Sequence, residues 1–243
     1  MLYTLFSPSE GKNTGGNREL FKDLLFGNGA RESILTAYND IVNSGNLEAI
    51  RQLFGLKKDK EIQPYLEDLY NAPLLSAIER YSGVAYDYLD YPSLPVTAQE
   101  YIKRHTVIFS NLFGPIMAGD LIPNYKVKQG NAIAGITPEK YYKDAFAPSL
   151  DALLEDADIL DLRAGYYEKF YKTSKPYTTL KFIKDGKVVS HWAKAYRGIV
   201  LRHLALNAVE SLDAFMQMEI DGLLVEEIKL VKNKREIVYA IKD

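Results

Sequence analysis

Ser7, Ser9, Glu10 and Lys12 fall within one six-residue stretch, with Gly11 between the carboxylate and the amine. The group offers two hydroxyls, a base, a point charge and a glycine at which a ligand can approach the backbone. Placed between a strand and a helix, such a loop lets backbone N–H groups converge on an anion. It is not a Walker-type phosphate loop. That motif needs a glycine five residues ahead of the Gly-Lys pair, where Phe6 stands, and Ser or Thr after the lysine, where Asn13 stands. The competing reading is a capped turn in which Glu10 and Lys12 face water. Further on, Tyr86 and Asp87 follow Gly83 and pair a phenol with a carboxylate. Such a pair serves acid–base chemistry or, more commonly, a buried hydrogen bond.

The second concentration of chemistry is basic. From Arg163 to Arg202 there are ten Lys or Arg and two acids, Glu168 and Asp185, a local net of +8 in a chain of net −2. Tyr166, Tyr167, Phe170, Tyr171, Tyr177, Trp192 and Tyr196 interleave with these cations. Cations take phosphates and rings stack on exposed bases, so the pattern suits nucleic acid. The competing reading places the rings in a core with solvated lysines beside them, and Phe170 and Trp192 fit that core best. Lys194 and Arg197 are three apart on an expected helix, with Arg202 further along.

Other chemistries are poorly supplied. The chain has no cysteine, which excludes disulfides and thiolate sites and fits a reducing, cytoplasmic setting. His105, His191 and His203 lack metal-ligand spacing, so neither a metal nor another cofactor is expected. No apolar run approaches the roughly 18 residues of a membrane span. Met1 to Phe6 lacks the basic leader and cleavage site of a signal peptide.

The elements that must position these residues follow from periodicity and punctuation. Leu2–Phe6, Val107–Phe109 and Ile159–Leu162 read as buried strands, and Tyr125–Lys128 as a further one. Helical spacing marks Arg18–Phe26, Arg31–Val42, Leu47–Phe54 and Pro73–Tyr81, kept short by prolines. Thr137-Pro138 starts a helix, and Ser149 is placed to cap another. Alternation around Asp185-Gly186 predicts a hairpin from Thr178 to Trp192, with Phe182 and Trp192 at the core. Ala195–Val209 predicts an amphipathic helix. A second hairpin, Glu226–Val231 with Glu236–Ile241, turns through Lys232–Arg235. Together these predict a single α+β domain over 1–243, with short helices around a mostly antiparallel sheet.

Five stretches in order resemble the YaaA family of bacterial peroxide-stress proteins over nearly the full length. They are Ser7–Lys12, Tyr81-Ser82-Gly83 with Tyr86, Leu112-Phe113-Gly114 with Asp120–Lys126, Tyr166–Phe170, and Ala193–Gly198. The resemblance implies duplex DNA binding through a positive cleft, a helix-hairpin-helix element, and a role in limiting iron-driven DNA damage. Many members carry Arg-Pro after the Leu-Phe-Gly, where this chain has Pro115-Ile116. The cations expected to meet DNA are Lys12, Lys126, Lys169, Lys172, Lys175, Lys194, Arg197 and Arg202, binding largely without regard to sequence. The alternative is an enzyme acting on a nucleotide or other phosphorylated small molecule through the Ser7–Lys12 loop, with Glu10, Lys12, Tyr86 and Asp87 as its candidate catalytic groups.

Overall fold

The computed structural model describes residues 1–242, apart from the side chains of 190 and 191. Its strands are β1 (Leu2–Phe6), β2 (Gly11–Lys12), β3 (Leu74–Ser76), β4 (Tyr81–Ser82), β5 (Thr106–Ser110), β6 (Gly114–Met117), β7 (Leu121–Pro123), β8 (Asp158–Asp161), β9 (Tyr177–Lys184), β10 (Lys187–Val188), β11 (Leu223–Val231) and β12 (Lys234–Ile241). Its α-helices are α1 (Glu32–Asn43), α2 (Leu47–Phe54), α3 (Asp59–Ile62), α4 (Ala77–Arg80), α5 (Val84–Leu89), α6 (Val96–His105), α7 (Pro138–Leu153), α8 (Ser190–Leu206) and α9 (Leu212–Gln217).

The fold is α+β, built on one eight-stranded sheet in the order β11-β12-β9-β8-β1-β5-β6, with β10 beside β9. Its middle is parallel rather than mostly antiparallel. The pairs β12–β9, β9–β8, β8–β1 and β1–β5 all run parallel, and antiparallel pairing is confined to β11–β12, β5–β6 and β9–β10. The reason lies in the connections. Short turns announce antiparallel hairpins in a sequence, whereas parallel neighbours are joined by long crossovers that leave no local signature. The central strands do carry the mark of double burial: β5 is buried at all five positions and β1 at four of five.

Several local expectations are corrected. Residues 18–26 form no helix; that backbone instead serves Arg31, which donates to Leu25 O at 2.8 Å, and Asp120, which accepts from Leu25 N at 2.9 Å. Pro73–Tyr81 divides into β3 and the single turn α4, and Tyr125–Lys128 is not a strand. Ser149 lies inside α7, which continues through Pro148. Asp185-Gly186 is the expected turn, both residues having positive φ (52° and 71°), but its second arm is only β10 because α8 begins at Ser190. Phe182 is buried, whereas Trp192 lies on α8 with 42 % of its surface exposed. Residues 110–126 form strands and turns, with no helix-hairpin-helix in that stretch.

Arg80 shows how buried charge shapes the region beside the Ser7–Lys12 loop. It is fully buried and donates to four carbonyls: Asn13 O at 2.6 Å, Pro73 O at 2.8 Å, Gly15 O at 3.1 Å and Ile122 O at 3.3 Å. Burial draws its pKa down to about 10, still far above neutrality. Arg80→Met leaves these acceptors without their donor, and we expect a stability loss of about 3 kcal/mol in urea unfolding. An unchanged midpoint would show that water replaces the guanidinium without penalty.

Candidate functional site

A cavity of about 280 Å³ opens beyond the carboxyl ends of β1 and β8. This is a favoured position on topological grounds. The parallel neighbours of β1 lie on opposite sides of it, β5 on one and β8 on the other, so β1 is a point at which strand order switches. Loops that leave such a point diverge and open a crevice.

The floor comes from the loop after β1. Ser7 Oγ accepts from Ala164 N at 2.8 Å, and Ser7 O accepts from the Tyr86 hydroxyl at 2.9 Å. Gly11 and Lys12 then pair with Ser82 and Tyr81, folding the loop back over the sheet. Glu10 reaches the cavity between these anchors. Its Oε2 lies 3.0 Å from Lys126 Nζ and its Oε1 accepts from Gln129 N at 3.3 Å. Burial alone would raise the Glu10 pKa. The hydrogen bonds from Lys126 and Gln129, with the positive charges of Lys126 and Lys12, outweigh it and hold the group below the usual carboxylate range.

Lys12 lies beneath this loop. Its Nζ donates to Ser9 O at 3.3 Å and sits 4.1 Å from the centre of the Tyr125 ring and 5.4 Å from that of Tyr81. Part of the residue meets solvent, but its ammonium end is enclosed. Burial, then the like charge of Lys126, pull its pKa down to about 7 against the pull of Glu10. The two ring faces favour the ammonium and limit that fall. Below it, the Tyr125 hydroxyl is 2.7 Å from both Tyr81 Oη and Ser110 Oγ.

The opposite wall is α8, which brings Lys194 and Arg197 to the cavity one helical turn apart. Lys194 is exposed and Arg197 half-buried. Neither makes a hydrogen bond or ion pair with a described residue. Burial lowers the Arg197 pKa, while Asp161 and Glu168 act to raise it. Asp161 itself is held by Arg163, through Nη2 at 2.7 Å and Nε at 2.9 Å.

The cavity therefore gathers Glu10, Tyr86, Lys194 and Arg197 from three distant stretches, with Lys12 and Lys126 behind Glu10. The other expected residues go elsewhere. Asp87 is exposed and outside the cavity wall. Tyr86 is buried with its pKa pushed well up by burial, so it anchors Ser7 rather than exchanging protons near neutrality. Arg202 donates to Leu89 O at 2.9 Å and Asp90 O at 3.0 Å, closing the end of α5. Lys175 donates to Glu155 O. Lys169 lies 4.9 Å from the centre of the Tyr166 ring, and Lys172 is exposed. Gln129, which steadies Glu10 through its backbone, carries no sequence signal. Among the described residues no group of three or more His, Asp or Glu could hold a metal ion, and no helix is long and apolar enough to cross a membrane.

Residues 2–229 match the family model described as peroxide stress protein YaaA. The chain is 43% identical to an uncharacterized protein of Campylobacter jejuni, over 98% of this chain and 99% of that one. It is 35% identical to a UPF0246 protein of Corynebacterium glutamicum, over 90% and 93% of the two chains, and 24% identical to a UPF0246 protein of Fusobacterium nucleatum over 98% of each. The cavity, the loop after β1 and the basic face of α8 all fall within the matched span, and the chain belongs to the YaaA family of peroxide stress proteins.

Proposed function

We propose that the cavity binds a phosphate-bearing small ligand, a nucleotide or another phosphorylated molecule, as this chain's part in the peroxide response. The observation that carries this reading is the pair Lys194 and Arg197, two cations without partners among the described residues, on one wall of the cavity. A half-buried guanidinium without an acceptor is unfavourable, and an anion supplies one through charge-assisted hydrogen bonds. Glu10, held ionised on the other side, accepts from hydroxyl or amino groups of the same ligand.

Calorimetric titration with inorganic phosphate and nucleoside mono- and diphosphates tests this. We expect saturable binding that weakens by roughly 100-fold in Lys194→Ala/Arg197→Ala, two charge-assisted contacts being lost. The melting temperature should stay close to that of the wild type. No binding to any of these ligands, or equal binding by the variant, overturns the reading.

A second reading is DNA binding, by which the chain would act in the cytoplasm to limit iron-driven damage. It is favoured by Lys169 and Lys172, exposed cations of the same basic window, and by the exposure of Lys194 at the cavity mouth. Phosphate contacts of this kind carry no base information. On duplex DNA, affinity should fall with salt at a slope of roughly −0.9 per phosphate neutralised, and the double variant should lower that slope by about two units. The two readings separate on one variant: the first predicts lost small-ligand binding with DNA affinity little changed, the second a reduced salt slope.

A further inference from the structure

The far side of the sheet ends in a bare strand. β12 pairs with β9 and buries Ile237, Val238 and Tyr239, but among the described residues β11 has no neighbour beyond it. Of its nine residues only Leu223 is buried, and the others are exposed on both faces. Leu224, Val225, Ile228, Leu230 and Val231 are large apolar side chains in water, Leu230 being 74 % exposed. Edge strands are usually blunted by proline, by brevity or by a covering element, because their free N–H and C=O groups template further pairing. β11 has neither proline nor brevity, and no described strand pairs with its outer edge; the blunting devices it carries are charge, at Glu226, Glu227 and Lys229, and a bulge between Val225 and Glu227.

The pairing already made fixes which groups are free. The hairpin turns through two residues, Lys232 and Asn233, so Val231 and Lys234 form its closing hydrogen-bonded pair. Alternation along an antiparallel ladder then aims the backbone of Lys229 and Glu227 at β12, and that of Ile228 and Leu230 outward. An antiparallel partner can therefore centre its hydrogen bonds on Ile228.

The side chains choose both partner and register. Glu227 and Lys229 flank Ile228, 3.0 Å apart within one chain. Two copies of β11 placed antiparallel about a two-fold axis at Ile228 set each Glu227 opposite Lys229 of the other copy. Moving the axis by one residue opposes Lys229 to Lys229 or Glu227 to Glu227. Like charges directly opposite destabilise a strand pair and unlike charges stabilise it. The strand is thus complementary in charge to itself, in the register that its free backbone groups allow.

We infer that a second copy of this chain adds to β11, antiparallel, about a two-fold axis at Ile228. The resulting sheet is continuous across two protomers. The pairing uses the same edge of both copies, so it closes as a dimer and does not propagate. The bulge between Val225 and Glu227 bends the strand next to the axis and keeps the ladder short, so the association is reversible and concentration-dependent.

Sedimentation over a wide concentration range is expected to show a monomer–dimer equilibrium. Lys229→Glu and Glu227→Lys should each weaken the dimer by about tenfold or more, since each puts two like-charged pairs across the axis. The combined swap should restore it. Because the chain has no cysteine, Ile228→Cys gives a clean second readout. Facing Cα atoms about 5.5 Å apart suit a disulfide, so mild oxidation should link the variant into a dimer, with Lys172→Cys remaining monomeric. A monomer at every concentration, or a dimer indifferent to both charge swaps, overturns the inference.

Discussion

Replacing Gly198 with alanine is expected to destabilise the protein by about 4 kcal/mol, more than the 1–3 kcal/mol of ordinary over-packing. Helix propensity alone predicts the opposite sign, since alanine is favoured over glycine within a helix by about 1 kcal/mol. The reason is where α8 crosses α5. A Cβ at Gly198 would stand 1.9 Å from Ala85 O, 2.9 Å from Ala85 C and 3.0 Å from Leu89 N. All three are backbone atoms, so no rotamer change relieves the clash and the helices must part. Parting them pulls the Arg202 guanidinium from Leu89 O and Asp90 O and moves Lys194 and Arg197 away from the loop after β1. The variant should therefore lose melting temperature and cavity binding together. A variant that kept the wild-type transition would show that the two helices can separate freely.

Lys12→Met is expected to reverse its effect on stability with pH. The Lys12 pKa is about 7 in the folded chain, against 10.5 for an ordinary lysine side chain. Between these values the unfolded chain holds a proton that the folded chain has released, so wild-type stability rises with pH by at most about 1.4 kcal/mol per unit. Below pH 7 both states are protonated; this slope vanishes and the full penalty of enclosing an ammonium beside Lys126 and Arg80 remains. Methionine carries no such charge. The variant should be the more stable protein near pH 6 and lose that advantage towards pH 10, where the neutral amine keeps its contacts with Ser9 O and the tyrosine rings. Denaturant unfolding of both proteins at several pH values measures the difference directly, other titrating groups cancelling between them. Parallel pH profiles would mean that Lys12 stays protonated throughout, stabilised by Glu10 and the faces of Tyr81 and Tyr125.

The sequence was informative where local chemistry dictates structure. Leu47–Phe54 forms α2 with the bounds its periodicity predicts, because Asn46 caps one end and Gly55, at φ 66°, ends the other. Both turns announce themselves, but alternation over 187–192 hides the start of α8 at Ser190, and the C-terminal hairpin turns through Lys232–Asn233 rather than Lys232–Arg235. Strand direction was not legible, since LYTLF and TVIFS read alike in parallel or antiparallel surroundings. Residues 18–26 carry helical spacing, yet Leu25 O and Leu25 N bond to the side chains of Arg31 and Asp120, and Asp120 lies remote from any window of periodicity. The candidate site was half legible. Glu10, Lys194 and Arg197 stood out by type and motif, and their meeting depends on β1 lying beside β8, a contact over about 150 residues that no spacing rule supplies. Charge counting could not separate Lys194 and Arg197, which face the cavity, from Arg202 and Lys175, which serve neighbouring carbonyls.

The place of β1 in the sheet also bears on how the chain is made. Leu2–Phe6 emerges from the ribosome well before its two neighbours, Thr106–Ser110 and Asp158–Asp161. This interior strand of the finished sheet therefore waits, apolar and unpaired, until β5, its first neighbour, has been made. Pairings so distant must meet the entropy of closing long loops before they return any contact energy, which makes assembly slow. The same delay exposes a short, uncharged, apolar segment until β5 is available, a natural target for holdase chaperones that bind extended apolar peptide.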